Sequence, residues 1–204
     1  MTAHFRGFHG TAASHVGSIK RGGIRASANS DDWLGTGTYF FIEGIADPRE
    51  SAFEWARCKL WDKNVQRFVE PKIAIVEVEI AVAEDSLFDL RDPQNARYFH
   101  EARREWLKAQ VPPRSTTRPR PTPEEETFDT ELLDAFKREH QIAVIVEDFH
   151  IQFSIRERHF RMDSRIPNVS MLCLSHPQLP WATTTIRSID IEPHRSLLEE
   201  PVDP

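Results

Sequence analysis

The stretch from residue 73 to residue 82 constrains the fold of this 204-residue chain most strongly. Its side chains alternate with the period of an extended strand, in which successive residues point to opposite faces of a sheet. One face is wholly apolar and consists of Ala74, Val76, Val78, Ile80 and Val82. The other face mixes Ile73 and Ile75 with Glu77 and Glu79. The pattern predicts a long strand with one buried face and one half-exposed face.

Shorter patterns on both sides of this strand predict helices and further strands. Asp47, Pro48 and Glu50 form a helix start, with a capping carboxylate, a proline at the first helical position and a glutamate three residues after the cap. The buried stripe expected on this helix consists of Ala52, Trp55, Ala56 and Leu60. Other helices are predicted over 14–20 with Ser14 as the N-cap, over 92–110 and over 130–139. Other strands are predicted over 5–9, 38–42, 142–146 and 149–156, with edge strands over 169–174 and 183–191.

The length and an apolar content of 39% are sufficient for one folded domain with its own core. We expect this domain over residues 1–160, followed by a C-terminal extension over 161–204 that packs on the same domain and frays at its end. Residues 111–126 contain five prolines and then three glutamates, which interrupt helices and central strands. This segment is predicted to be a mobile surface loop or a linker.

The composition argues against several classes of protein. A formal charge of −6 and a pI near 5.9 do not provide the broad positive surface that drives non-specific binding to nucleic acid, although a local basic patch remains open. Cys58 and Cys173 are the only cysteines, and their spacing indicates neither a disulfide framework nor a zinc site. There is no apolar run of membrane-spanning length and no signal-peptide pattern. We therefore expect a soluble, cytoplasmic protein without a metal.

Two short motifs carry residue types suited to holding a nucleotide. The first reads FHGT over residues 8–11, and the second reads WLGTGTYFF over residues 33–41. Between them lie a short predicted helix and a loop rich in glycine, serine, asparagine and aspartate, whose polar groups bond readily to backbone or to ligand hydroxyls. The two motifs thus bring His9 and Tyr39 onto two strands joined by a polar loop.

Together with Gly22-Gly23, Asp32, Glu43 and the Ala52-x-x-Trp55-Ala56 pattern, these motifs resemble a bacterial ADP-ribosyltransferase. The resemblance is to the diphtheria-toxin-like and poly(ADP-ribose)-polymerase-like branch, whose three motifs are a histidine, a tyrosine and usually a glutamate. It covers residues 5–56 well, and it is supported further along by residues 87–90 and 150–156. The third motif of this chain carries Gln152, as in small family members with glutamine there.

The resemblance implies an α+β fold, namely an ADP-ribosyltransferase-like split mixed β-sheet with NAD in its cleft and short helices beside it. His9 would bond the ribose next to nicotinamide, Gly10 would bond the carboxamide through its backbone, and Tyr39 would stack on the nicotinamide ring. The remaining residues of the implied NAD-binding set are Thr11, Asn29, Asp32 and Gly37. The implied catalytic set consists of His9, Tyr39, Gln152 and Glu43, with Glu43 as the leading substitute acid.

The implied activity is mono-ADP-ribosyl transfer from NAD to a macromolecular acceptor, protein or nucleic acid, with release of nicotinamide. Small bacterial members resemble toxins or phage-defence effectors, so a neutralising antitoxin protein is an expected partner. A neutral Gln152 cannot accept a proton as a glutamate can, which leaves open a non-catalytic module that binds NAD or ADP-ribose, or an NAD glycohydrolase. RNA 2′-phosphotransferase is disfavoured because Tyr39 stands where that relative carries a basic residue.

Each candidate also has a plain structural interpretation. His9 can be a strand-end histidine in a turn, and Tyr39 can be a core aromatic residue whose hydroxyl is satisfied. Gln152 can face solvent, Glu43 can simply lead into the Asp47 helix start, and Asn29, Asp31 and Asp32 are residues that any turn contains. Glu77 and Glu79 spell a Glu-x-Glu sequence, but the polar face of a half-exposed strand explains them.

Overall fold

The predicted long strand is confirmed as β5, which lies inside a seven-stranded sheet formed by the described residues. The computed structural model describes residues 1–27, 32–110, 128–153, 164, 166–175 and 182–194. The strands are β1 (Thr2–Ala12), β2 (Thr38–Ile42), β3 (Trp61–Asp62), β4 (Arg67–Phe68), β5 (Lys72–Ala83), β6 (Leu87–Asp89), β7 (Val144–Phe149), β8 (Val169–Leu174) and β9 (Ala182–Pro193). The helices are α1 (Val16–Gly22), α2 (Pro48–Leu60), α3 (Pro93–Gln110) and α4 (Phe128–Glu139).

The sheet is mixed, and its strand order is β6-β7-β8-β2-β1-β5-β9. Only β6 and β7 pair in parallel within the described sheet, and the other neighbours are antiparallel. β3 and β4 form a separate two-stranded ribbon. The described residues therefore have an α+β fold, as expected at this coarse level.

The ladder between β1 and β2 is unusually short. The two strands pair only at Gly7 with Ile42 and at Phe8 with Phe41. Beyond these pairs, β1 stays paired with β5 as far as Ala12, and β2 stays paired with β8 as far as Thr38. A gap therefore opens in the middle of the sheet between β1 and β2.

Both faces of the sheet are buried. On one face, Val76, Val78 and Ile80 of β5 pack with Phe40 of β2 and Ile19 of α1. On the other face, Ile73 and Ile75 of β5 pack with the apolar side of α2. A third cluster continues this second face beneath α4, through Leu133, Phe136 and Ile145. The two-faced pattern of the long strand thus divides the core between the two sides of the sheet.

The helix start at Asp47 is confirmed, because the Asp47 side chain accepts a hydrogen bond of 2.7 Å from the Glu50 amide and Pro48 is the first helical residue. The predicted stripe needs one correction. Phe53 is fully buried with Ala52 and Ala56, whereas Trp55 and Leu60 are only partly buried.

The prediction that Ser14 caps the first helix is wrong. Residues Ala13–His15 form a 3₁₀ turn, and α1 begins after it. The Ser14 hydroxyl instead donates to Glu70 at 2.5 Å, so a partner distant in sequence replaces the local cap.

The predicted strand over 149–156 is also wrong where it can be compared. β7 ends at Phe149, and residues 150–153 have no regular secondary structure, while 154–156 lie outside the described residues. The Asn168 side chain bonds both the amide and the carbonyl of Ile151, at 2.8 and 2.9 Å, and so takes the place of a neighbouring strand.

The segment 169–174 forms the predicted strand, but it is not at an edge. β8 lies between β7 and β2, and all of its residues are buried. The buried Ser170 hydroxyl is satisfied there because it donates to Asp148 at 2.6 Å. β9 is an edge strand as predicted, so two strands of the main sheet come from the part of the chain after residue 160. The proline-rich segment 111–126 lies outside the described residues.

No helix in the described part of the chain combines the length and the apolar character that crossing a membrane requires.

Candidate functional site

A cavity of about 300 Å³ opens where β1 and β2 separate. Its walls are formed by the ends of these two strands, by the turn of residues 32–37 that precedes β2, by one side of α2 and by Met171 of β8. Ligand sites typically have volumes of about 300–1,000 Å³, so the cavity is at the small end of that range. His9, Gly10, Asp32, Gly37 and Tyr39, all singled out from the sequence, line it together.

His9 is half-buried on the β1 side of the cavity. Its Nδ1 atom lies 2.9 Å from the carbonyl oxygen of Tyr39, and because a carbonyl only accepts, Nδ1 carries the proton of this bond. Burial lowers the pKa of His9, the bond to the Tyr39 carbonyl opposes this effect, and the nearby His15 adds to it. The imidazole is therefore neutral at pH 7. Its Nε2 atom is a hydrogen-bond acceptor that has no partner among the described residues.

Tyr39 stands across the gap on β2, and its ring packs on the face of the sheet that carries α2 and α4. The His9 ring contacts Phe40 on the opposite face, with 6.1 Å between ring centroids. The cavity reaches both rings because the strands have separated at this point. The site thus combines an imidazole from one face of the sheet with a phenol ring from the other.

The Tyr39 hydroxyl is fully used inside the protein. It donates to the Gly35 carbonyl at 2.7 Å and accepts from the Leu34 amide at 2.8 Å. Burial raises the pKa of this phenol, and the neighbouring Cys173 adds to the effect. The ring remains part of the cavity wall, while the hydroxyl fastens the turn that forms the adjoining wall.

Helix α4 fastens the same turn from the other side. Asp134 accepts from the Thr36 amide at 2.8 Å and from the Thr36 hydroxyl at 2.7 Å, and Lys137 donates to the Thr36 carbonyl at 2.9 Å. Lys137 is only 4% exposed and pairs with Asp134 at 3.0 Å. Gly35 has a φ of 74°, and a side chain at this residue would collide with Asp134. The cavity wall is therefore held in one position by Tyr39 and by the Asp134–Lys137 pair.

Gly10 and Gly37 allow close approach of backbone segments. A Cβ atom on Gly10 would overlap the Ala52 carbonyl, because α2 crosses β1 in contact with this residue. A Cβ atom on Gly37 would overlap Cys173 of β8. Both glycines thus have packing reasons in addition to their position on the cavity wall.

Charged and aromatic groups that the sequence reasoning missed also line the cavity. Arg25 and Lys59 are exposed cations of the lining, and the Lys59 ammonium lies 4.6 Å from the Trp55 ring centroid. Trp33 lies against Trp55, with 6.1 Å between ring centroids. Lys59 could have been found from the sequence, because it lies four residues after Trp55 on the same helix and therefore shares a face with it. Asp32 is the carboxylate of the described lining, and its Oδ1 atom accepts from the Ser27 hydroxyl at 2.9 Å.

The structure does not bring the other predicted site residues into this lining. Thr11 bonds His15 through its hydroxyl at 2.9 Å. Glu43 is exposed and follows Ile42 directly after β2, and it is not among the residues that line the cavity in the described structure. Gln152 is half-buried next to Ile151 and is not among the residues that line the cavity in the described structure. Asn29 and Asp31 lie outside the described residues.

Glu77 and Glu79 are not among the described residues that line the cavity, and they have partners of their own. Glu77 accepts from Arg6 at 2.8 Å and from Ser188 at 3.2 Å, and Glu79 pairs with Arg187. These contacts agree with their interpretation as the polar face of a strand. Among the described residues, no group of histidine, cysteine, aspartate or glutamate side chains has the arrangement of a metal site.

No protein-family model matches the chain, and no curated protein matches it.

Proposed function

We propose that the chain is an NAD-dependent mono-ADP-ribosyltransferase, which breaks the bond between nicotinamide and ribose and transfers ADP-ribose to a macromolecular acceptor. The observation that carries this proposal is the meeting of His9 and Tyr39 across the gap between β1 and β2, where both line one cavity. The resemblance of the two sequence motifs assigns these residues to the nicotinamide end of NAD. The separation of β1 from β2 supports the split sheet that the same resemblance implies.

The residues of the lining suit the separate parts of NAD. The neutral His9 offers Nε2 as an acceptor for a ribose hydroxyl, and the Tyr39 ring offers a flat surface for nicotinamide. Stacking of a flat ring on an aromatic side chain contributes about 1–3 kcal/mol, by analogy with nucleobases. Arg25 and Lys59 supply positive charge for a diphosphate.

Bond cleavage also requires negative charge near the ribose, because positive charge develops there in the transition state. Asp32 is the carboxylate that the described lining offers, and the hydrogen bond from Ser27 holds its side chain in place. In this proposal, His9 and Tyr39 orient the bond that breaks, and Asp32 provides the charge that neither Gln152 nor Glu43 brings to the cavity.

A second candidate is a module that binds NAD or ADP-ribose without turnover. It is favoured because neither Glu43 nor Gln152 lines the cavity in the described structure. The two candidates share the binding residues and differ only in nicotinamide release. NAD hydrolysis is a variant of the first, with water as the acceptor.

The test is nicotinamide release from NAD by the purified chain, with and without cell lysate, together with NAD binding measured by calorimetry. His9→Ala and Tyr39→Ala should each reduce release strongly while the fold is retained. His4→Ala is the matched control, because His4 lies on the same strand with a side chain that is 61% exposed. Wild-type release by the two folded cavity variants would refute the assignment.

The same experiment separates the candidates. Release that rises with lysate identifies a transferase with a cellular acceptor, and release that is independent of lysate identifies a hydrolase. Binding without release identifies the non-catalytic module. A toxin or phage-defence role with a neutralising protein partner is part of the transferase proposal, and it predicts growth arrest on expression that His9→Ala relieves.

A further inference from the structure

A second cavity of about 310 Å³ adjoins the first and shares Trp33 with it. Its other walls are formed by Leu34, by Leu90 after β6, by α3, by Leu133 of α4 and by the end of β7. Among the described residues of this lining, none belongs to the set proposed above to hold NAD. Trp33 is 43% exposed and His100 of α3 is also exposed, so the second cavity opens to solvent. A side chain of another molecule can therefore enter it.

Three aromatic rings form much of this lining. Trp33 and Phe149 lie side by side, with ring centroids 5.2 Å apart and planes inclined by 33°. Phe99 joins them from α3, and an edge-to-face contact with Phe136, with 5.2 Å between ring centroids, fixes its orientation. The faces of aromatic rings attract cations, and a planar guanidinium group also stacks flat on them. The rings therefore favour a flat cation.

Glu147 of β7 places a carboxylate in the same lining. One of its oxygens accepts from the Asp148 amide at 2.9 Å. The second oxygen has no hydrogen bond to a described residue, so it is an acceptor that a ligand can use. Burial raises the pKa of Glu147, and the bond from the Asp148 amide opposes this effect. A cation that enters the second cavity would stabilise the ionised carboxylate.

The charges around Glu147 are mostly negative. Asp148 and Asp89 raise its pKa further, and Arg91, which lowers it, is bound to Asp89 by hydrogen bonds of 2.9 and 2.7 Å. Arg103 of α3 also lines the second cavity, but it is not among the charges that act most strongly on Glu147. The end of the second cavity at Glu147 therefore attracts a cation and repels a phosphate or a carboxylate.

We propose that the second cavity binds the guanidinium group of an arginine side chain that a protein partner presents. The guanidinium donates to the second oxygen of Glu147 and stacks on the three aromatic rings, while its methylene groups lie against the leucine side chains of the lining. A lysine ammonium has the charge but no flat face, and a neutral urea group has the flat face but no charge. This inference goes beyond the proposed function and does not depend on it.

The experiment titrates the full chain, without NAD, with blocked amino acids that reproduce a side chain in a polypeptide. The ligands are N-acetyl-arginine amide and its citrulline and lysine counterparts. Binding is followed by nuclear magnetic resonance through the indole N–H signal of Trp33, which Trp33→Phe identifies by its loss. The indole signal of Trp61, which lies outside the described linings of both cavities, should not shift.

The arginine derivative should bind at least about 10-fold more tightly than the citrulline derivative, which has the same shape and no charge. The lysine derivative should bind more weakly than the arginine derivative, because it cannot stack. A tripeptide with arginine between two glycines should bind at least as tightly as the blocked arginine. This ligand separates a side chain of a polypeptide from a free small guanidinium compound.

Variants of the lining test each part of the recognition. Glu147→Gln should weaken the arginine derivative at least about 10-fold and change the citrulline derivative little. Phe99→Leu removes one stacking surface and should weaken both derivatives. Arg103→Gln removes a like charge and should not weaken the arginine derivative. Glu105→Gln is the matched control, since Glu105 is a 71% exposed carboxylate on α3 outside the described lining.

Four results would overturn the inference. They are no shift of the Trp33 signal, equal binding of the arginine and citrulline derivatives, lysine binding as tight as arginine binding, or arginine binding that Asp32→Asn removes and Glu147→Gln does not alter. The last result would place the ligand in the first cavity. NAD is absent from the titration, so failure of the proposed function leaves this test intact.

Discussion

Replacement of Tyr39 by phenylalanine tests whether its hydroxyl fastens the cavity wall. The variant keeps the ring and removes two hydrogen bonds, one to the Gly35 carbonyl and one from the Leu34 amide. Each bond of this kind contributes about 0.5–1.5 kcal/mol, and a buried group left without a partner costs about 1–3 kcal/mol. Leu34 is only 2% exposed, so water does not replace the lost partner freely. We expect a loss of about 1–3 kcal/mol in the free energy of unfolding.

A loss of this size lowers the melting temperature by about 2–12 °C, since 1 kcal/mol corresponds to about 2–4 °C in a chain of this length. The chain supplies a matched control, because it contains only two tyrosines. Tyr98 is 49% exposed on α3, and its hydroxyl makes no hydrogen bond within the described part of the chain. Tyr98→Phe should therefore change stability by no more than about 0.5 kcal/mol.

Hydrogen exchange gives a local measurement of the same effect. The Leu34 amide should exchange faster in Tyr39→Phe, because its acceptor has been removed. The Ser27 amide, which donates to the Gly37 carbonyl at 2.7 Å, should change less. If Tyr39→Phe is as stable as Tyr98→Phe and Leu34 exchange is unchanged, the hydroxyl does not hold this turn.

Alkaline titration checks the burial of the phenol independently. In Tyr98→Phe the remaining tyrosine is Tyr39, whose pKa is raised by burial. The unfolded chain ionises tyrosine near pH 10, so the folded state retains this proton more strongly. The stability that Tyr39 contributes is complete below about pH 10 and is lost as the pH rises above it. Phenolate absorbance should therefore appear together with unfolding, and a separate earlier step would contradict the buried position.

Two further predictions concern His9 and Gly10. Because burial lowers the pKa of His9, its contribution to stability is complete above about pH 6.5 and decreases as the pH falls through the folded-state value. In denaturant unfolding, the free energy of unfolding of His9→Asn should therefore decrease less than that of the wild type as the pH falls below about 6.5. His194, whose pKa is also lowered by burial, is present in both proteins. Identical pH profiles of the two proteins would contradict this prediction. Gly10→Ala should lower stability by about 1–3 kcal/mol, because its methyl group overlaps the Ala52 carbonyl. Gly22→Ala is the control, since nothing lies within 4 Å of a Cβ atom there, and equal stability of the two variants would refute the steric argument.

Much of the fold follows from local sequence patterns. The structure confirms three predictions that depend only on neighbours within a few positions. They are the alternation in β5, the helix start at Asp47 and the strand over residues 38–42. The errors arise where a distant residue supplies the missing partner. Glu70 takes the Ser14 hydroxyl that was expected to cap a helix, and Asn168 satisfies the Ile151 backbone where a strand was expected.

The alternation that suggested a strand around Gln152 is still visible in the burial of this segment. Ile151 is 1% exposed and packs in the cluster beneath α2, although its backbone is bonded to a side chain and not to a neighbouring strand. An apolar residue every second position therefore indicated which side chains face the core, but not how the backbone is paired. This distinction affects the third motif, because its assignment to Gln152 assumed a continuous strand.

Local sequence patterns do not show contacts with distant parts of the chain, and this explains which part of the candidate site could be predicted. His9 and Tyr39 lie in two short motifs, and the resemblance that these motifs carry was enough to assign both residues to one site. Asp134 and Lys137 appear in the sequence as an ordinary pair three residues apart on a helix, and they matter only because the turn at Thr36 folds over them. A residue that holds the cavity wall in place from a different helix or strand leaves no local pattern in the sequence. The acid of the proposed reaction is therefore better sought by its position in the cavity, which points to Asp32, than by its spacing from Tyr39 in the sequence.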